Sequence, residues 1–134
     1  MGTFGLEEKT SGGELELETD VDQTTTLPTD YNSRTTTCPG TIRNQGSCGS
    51  CWAFSAAEAL GDRYCLKTGG KTKVTLSPEY LVACDKTELA CNGGYMDRVH
   101  AYLTSYGTVA DACVPYSSAN KFVPSCPAAC TAAN

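Results

Sequence analysis

Gln45-Gly46-Ser47-Cys48-Gly49-Ser50-Cys51-Trp52-Ala53-Phe54 decides how this 134-residue chain is read. A Gly/Ser-rich turn runs directly into an apolar, Ala-rich segment. Gly46 and Gly49 allow backbone shapes that other residues resist. Ser50 suits an N-cap, so Cys51 would open a helix. The positive end of a helix favours a thiolate over a thiol, and the thiolate is the attacking species. A C-x-x-C also fits a redox pair, half a zinc site or two structural cysteines. No βαβ pattern surrounds this one, and the chain has a single histidine to complete a zinc site.

Cys51 to about Leu66 should form a central helix. Seven of the nine residues Cys51–Ala59 are apolar, the pattern of a helix buried nearly all round. Phe54, Ala57, Leu60 and Tyr64 continue one face at helical spacing. Glu58, Asp62 and Arg63 turn the second half toward solvent, and Gly69-Gly70 stops it. Ser77-Pro78-Glu79 is a strong helix start, with Ser as cap and Pro at the first helical position. That helix should end at Ala83 or Cys84. After a Gly turn at 91–94, Tyr95, Val99, Tyr102 and Tyr106 form a stripe, with Met96 and Leu103 beside it. This predicts a third helix ended by Gly107, with its aromatics in the core. Residues 112–134 are Pro- and Cys-rich and loop-like.

Nine cysteines are many for this length, and the number is odd. One thiol should stay free, and if it is Cys51 the other eight can form four bridges in an oxidising compartment. Eight cysteines allow 105 pairings, among which spacing does not choose. Net charge is −5. Met1–Thr26 carries −6 of it and the remainder is +1. This acidic segment lacks apolar periodicity and is expected to be a flexible linker. No basic patch suggests nucleic acid, and no run approaches the roughly 20 apolar residues of a membrane span. No signal peptide opens the chain, although the cysteines imply secretory traffic, so Met1 is not expected to be the natural start.

Cys48–Trp52 matches C-G-[SA]-C-[WY] and resembles the nucleophile segment of papain-family cysteine peptidases. Cys91-Asn92-Gly93-Gly94-Tyr95 and Cys113-Val114-Pro115-Tyr116 resemble the cathepsin B-like branch, and the likeness runs from about Leu27 to Cys130. It implies a mainly α chain: the left, helical, disulfide-rich domain of the α+β papain-like fold, spanning 27–134, with the right β-rich domain absent. Gly2-Thr3-Phe4 resembles the end of a cathepsin B-like propeptide, so residues 1–26 are a propeptide remnant or a linker.

By this resemblance Cys51 is the nucleophile, and Gln45 donates its side-chain amide to the oxyanion beside the Cys51 N–H. Gly49, Ser50, Trp52, Asn92, Gly93, Gly94 and Tyr95 bind substrate. The Gly93-Gly94 backbone pairs with an extended peptide, and Tyr95 borders the pocket for the second residue before the scissile bond. The implied bridges are Cys38–Cys65, Cys48–Cys91, Cys84–Cys126 and Cys113–Cys130. No metal or cofactor is implied. Implied partners are a peptide or protein substrate, the right domain on the same gene or a second chain, and a propeptide or cystatin-type inhibitor.

The His and Asn that complete such a site follow the Cys by about 130–150 residues, but only 83 residues follow Cys51. They are therefore expected outside the chain, and the fragment alone to be inactive, with a sticky face, dimerisation or marginal stability. His100, inside the third helix, is read as an ordinary helix histidine. Cys113 and Cys126 enclose Val114–Ser125 without a histidine, which implies an endopeptidase lacking strong dipeptidyl-carboxypeptidase activity. The implied location is the secretory pathway, in a lysosome-like vesicle or outside the cell. The alternatives are a truncated, non-catalytic pseudoenzyme or binding fragment of the same family and, more distantly, a redox or zinc protein using Cys48 and Cys51.

Overall fold

Among the described residues of the computed structural model, three helices carry the architecture: α1 (Cys51–Lys67), α2 (Pro78–Cys84) and α3 (Met96–Tyr106). The structure describes residues 26 and 28–131. Both other helices pack against α1. Two short 3-10 turns, Ser33–Thr35 and Ser118–Asn120, lie in the connecting segments. The described residues contain no strand longer than an isolated bridge. One such bridge joins Gly49 to Asn92 and another Leu76 to Ala110.

The local signals account for the helix limits. Ser77 caps α2 by accepting the Tyr80 N–H at 3.0 Å, and Pro78 follows at N1. Gly107 closes α3 with φ 73°, a conformation side chains resist. At the end of α1, the Gly70 N–H returns to the Cys65 carbonyl at 2.9 Å.

The core is a cluster of small and medium side chains. Trp52, Ala53, Ala56 and Ala57 of α1 meet Leu81 and Val82 of α2 and Val99 of α3. Alanine on the α1 face lets the neighbouring helices approach closely, so Trp52 supplies most of the side-chain bulk that α1 itself adds to the cluster. The buried line on α1 ends at Gly61 and Cys65 rather than at Leu60 and Tyr64. Cys65 bridges to Cys38 there, which leaves Tyr64 half exposed.

The α3 stripe also differs from expectation. Val99 is fully buried and Tyr102 partly so, while Tyr95 and Tyr106 are exposed. Helical spacing identifies a face, but α3 packs chiefly on α1 and beside Leu81 and Val82 of α2, and this covers the middle of the stripe and not its ends.

Four disulfides fasten these elements: Cys38–Cys65, Cys48–Cys91, Cys84–Cys126 and Cys113–Cys130. The chain divides into two units, Met1–Tyr31 and Asn32–Asn134. The acidic segment read as a linker or propeptide remnant lies almost wholly outside the described residues.

Candidate active site

Cys51 is the one free cysteine, and it is exposed. It occupies the first position of the 17-residue α1, where unpaired N–H groups and the helix dipole converge. Ser50 stands at the N-cap, but its hydroxyl does not cap the helix. It is buried and bonded to the Tyr116 hydroxyl at 2.8 Å. The Tyr116 phenol has one proton and donates it to the Gln45 carbonyl at 2.8 Å. Ser50 therefore donates to Tyr116. With Ser50 so engaged, the first-turn N–H groups are not consumed by its side chain. Burial pushes the Tyr116 phenol above its usual range, against the opposing effect of the Ser50 hydrogen bond.

The 45–50 loop is held from two sides. On one side the Ser47 N–H donates to the Ala119 carbonyl at 2.8 Å. A Cβ on Gly46 would lie 2.6 Å from that same oxygen, and Gly46 has φ 66°, so both space and backbone require glycine here. On the other side the Gly49 N–H donates to the Cys91 carbonyl at 2.9 Å, beside the Cys48–Cys91 bridge.

The adjoining turn is fitted to α1. The Trp52 indole N–H donates to the Ala90 carbonyl at 3.0 Å. Gly94 lies flat against the Trp52 ring, where a Cβ would come within 2.6 Å of it. Tyr95 is exposed beyond the turn, and the Arg98 guanidinium stacks over its ring at 4.5 Å. Gly93 is half-buried, and Asn92 is exposed on the parallel bridge to Gly49.

The structure thus gathers Gly49, Ser50, Trp52, Asn92 and Gly94 around the head of α1. Gln45 joins them through its backbone carbonyl, and its side-chain amide makes no hydrogen bond among the described residues. His100 lies on the exposed surface of α3. A cavity of about 540 Å³ lies elsewhere. It opens between residues 33–43 and the middle of α1, and Cys51 does not line it. Its size carries less weight than the chemistry at the helix head. No group of three or more metal-binding side chains occurs among the described residues.

A papain-family cysteine protease model matches residues 27–134. The chain belongs to the papain family of cysteine proteases. Among curated relatives, cathepsin B-like CP2 of Giardia intestinalis is 42% identical over 102 residues, which is 75% of this chain and 34% of the relative. This papain-family chain thus spans about a third of the length of such relatives. Procathepsin B S9 from Trypanosoma congolense superposes with TM-score 0.69 at 33% identity, covering 81% of this chain and 39% of that one. The Amb a 11 cysteine protease of ragweed pollen, in its proform, gives TM-score 0.72 at 32% identity, covering 82% and 32%.

The papain-family motifs include Tyr116 and the helix start includes Glu79, but neither signals a part beside Cys51 for these two residues or for Ala119, Ala90 and Glu88, which all shape its surroundings. The Tyr95 N–H donates to one Glu88 oxygen at 2.9 Å, and the other oxygen has no partner. Burial pushes the Glu88 carboxyl above the ordinary value of 4.5. The Tyr95 N–H opposes this and the Asp85 charge reinforces it. Because the folded value is raised, the charged form is penalised in the folded state. That penalty is full at neutral pH and disappears as pH falls toward 4.5 and below, where both states hold the proton. Glu88→Gln keeps an acceptor for Tyr95 and removes the charge. It should raise stability at pH 7 by up to about 1 kcal/mol, because a neutral amide costs less to bury than a carboxylate even though its NH2 replaces the partnerless oxygen without gaining a partner. The gain should vanish near pH 4, as read by urea unfolding midpoints at the two pH values.

Proposed function

We propose that this chain is the nucleophile-bearing helical part, residues 27–134, of a cathepsin B-like cysteine endopeptidase. The observation that carries this reading is the exposed, unbridged Cys51 thiol at the head of α1, with the other eight cysteines paired. In the complete enzyme the Cys51 thiolate attacks the scissile carbonyl carbon and forms a C–S bond. The Cys51 N–H and the Gln45 side chain face the oxygen that becomes an oxyanion. Such donors are typically worth roughly 3–4 kcal/mol each in the transition state. The C–N bond breaks as the amine leaves with a proton from a histidine, and water then hydrolyses the thioester. That histidine and its orienting asparagine belong to a β-rich domain supplied by the same gene or a second chain. Gly93 and Gly94 hold the substrate backbone, and Tyr95 with Arg98 borders its side chain. Residues 1–26 serve as linker or propeptide remnant, and the enzyme works in the secretory pathway or a lysosome-like vesicle.

A peptide epoxide inhibitor tests the assignment. Cys51 should be labelled faster than a surface thiol of a control protein, with all four bridges intact, and a β-rich partner domain should accelerate it further. Cys51→Ser should abolish the adduct seen by mass spectrometry. Labelling at the rate of an ordinary thiol, with the partner domain present, would favour a non-catalytic relative. Release of C-terminal dipeptides as the complete enzyme's main product would refute the endopeptidase assignment.

A further inference from the structure

Glu79 is almost completely enclosed, with 1% of its surface exposed, although it stands in the first turn of a short helix where an acid normally meets water. Both oxygens are used. One accepts the Ser117 N–H at 2.9 Å and the Ser118 N–H at 3.0 Å, and the other accepts the Ser118 hydroxyl at 2.7 Å. Ser118 opens the 3-10 turn Ser118–Asn120. The next residue, Ala119, offers the carbonyl that receives the Ser47 N–H, and its backbone and Cβ fill the space beside Gly46. Two residues before Ser118, Tyr116 holds the Gln45 carbonyl and Ser50. The carboxylate therefore fixes the middle of a segment whose two flanks grip Gln45, Ser47 and Ser50. A second anchor lies further back, where the buried Ser77 hydroxyl donates to the Val114 carbonyl at 2.6 Å.

We propose that Glu79 is a positioning residue for the 45–50 loop: through the Ser117–Ala119 turn it sets the register of the loop that presents Gln45 and the Cys51 N–H. A carboxylate is suited to this because charge-assisted hydrogen bonds are shorter and stronger than neutral ones. Enclosure removes water as a competitor for the same donors. The Cys48–Cys91 bridge fixes the other side of the loop covalently, while this side depends on Glu79. The proposal rests on Cys51 being the nucleophile for its catalytic meaning, whereas the mechanical linkage can be read without it.

The test compares Glu79→Ala, Glu79→Gln and Ser118→Ala in the full chain, under conditions where each variant is folded by circular dichroism. Hydrogen exchange at the Ser47 amide reads the linkage directly. Exchange there should accelerate by about tenfold or more in Glu79→Ala, while the Leu81 amide in α2 changes little. Glutamine can still accept the two N–H groups and should restore Ser47 protection largely. Peptide epoxide labelling of Cys51 should fall on the order of tenfold in Glu79→Ala, with iodoacetamide labelling nearly unchanged, because only the epoxide peptide needs the loop in register. If Glu79→Ala does not fold, Ser118→Ala severs one of the three bonds and should give a smaller loss of Ser47 protection. Unchanged Ser47 exchange in a folded Glu79→Ala or Ser118→Ala chain would overturn the proposal. So would a Glu79→Gln chain as exchange-prone at Ser47 as Glu79→Ala. A wild-type chain inert to the epoxide would instead count against Cys51 as nucleophile, and the Ser47 result would stand apart from it.

Discussion

Replacing Cys48 and Cys91 together by serine is expected to lower the stability of the chain by about 4 kcal/mol. The bridge closes a loop of sequence separation 43. The chain-entropy relation assigns roughly that free energy to a crosslink of this span, chiefly by restricting the unfolded ensemble. Domains of this size are stable by only about 5–15 kcal/mol, so the loss is a large fraction of the whole. The functional effect should exceed the thermodynamic one. Cys48 is fully buried, and the Gly49 N–H bond to the Cys91 carbonyl lies beside the bridge. A Cβ on Gly49 would come within 2.7 Å of that carbonyl, which shows how closely the two backbones are drawn together. Without the crosslink the 45–50 loop keeps its Ala119 and Tyr116 contacts and loses its covalent side. Chemical unfolding should show a lower midpoint, and peptide epoxide labelling of Cys51 should slow while the double variant is still folded. A midpoint unchanged within 1 kcal/mol would mean that the backbone contacts alone hold the two turns together.

Punctuation residues made the helices legible before their packing was known. Ser77 and Pro78 mark a start because one supplies an acceptor and the other lacks the N–H that a first turn leaves unpaired. Gly107 marks an end because its backbone must turn left-handed. These are local requirements, and local sequence expresses them. The exposure of Tyr95 and Tyr106 was not legible, because periodicity shows that a face is apolar and leaves open whether anything covers it. The burial of Glu79 was hidden for a related reason. In Ser77-Pro78-Glu79 an acid looks like a favourable first-turn charge at the surface. Its actual partners come from Ser117 and Ser118, 38 and 39 residues later. Nothing within one turn of Glu79 announces them. At the head of α1, the N-cap preference of Ser50 was sound as a local rule and lost to a distant competitor, the Tyr116 hydroxyl.

Trp52→Ala should have an effect of similar size, about 3–5 kcal/mol, and a structural partner that makes its cause testable. Trp52 is 2% exposed and is the largest member of the helical core cluster. Its loss removes both the packing and the indole N–H bond to Ala90. Gly94 presses on the same ring, with a φ outside the left-handed region, so an alanine there meets a steric obstacle rather than a backbone one. In the wild-type background Gly94→Ala should cost about 1–3 kcal/mol by overpacking. In the Trp52→Ala background its methyl group enters the space that the ring vacates, and the cost should nearly vanish. The remaining obstacle is the buried Glu88 oxygen that accepts the Tyr95 N–H, 2.7 Å from the added Cβ, and its shift lengthens that hydrogen bond at a small residual cost. A double-mutant cycle from urea unfolding, run with an osmolyte such as TMAO so that the weakest variant stays folded, should therefore give a coupling of at least about 1 kcal/mol. Additive effects would show that the turn at Gly94 does not depend on the ring. The wall beside the Cys51 thiol would then be held by Glu88 and the Cys48–Cys91 bridge, and Trp52→Ala should leave the exchange rate of the Tyr95 amide unchanged.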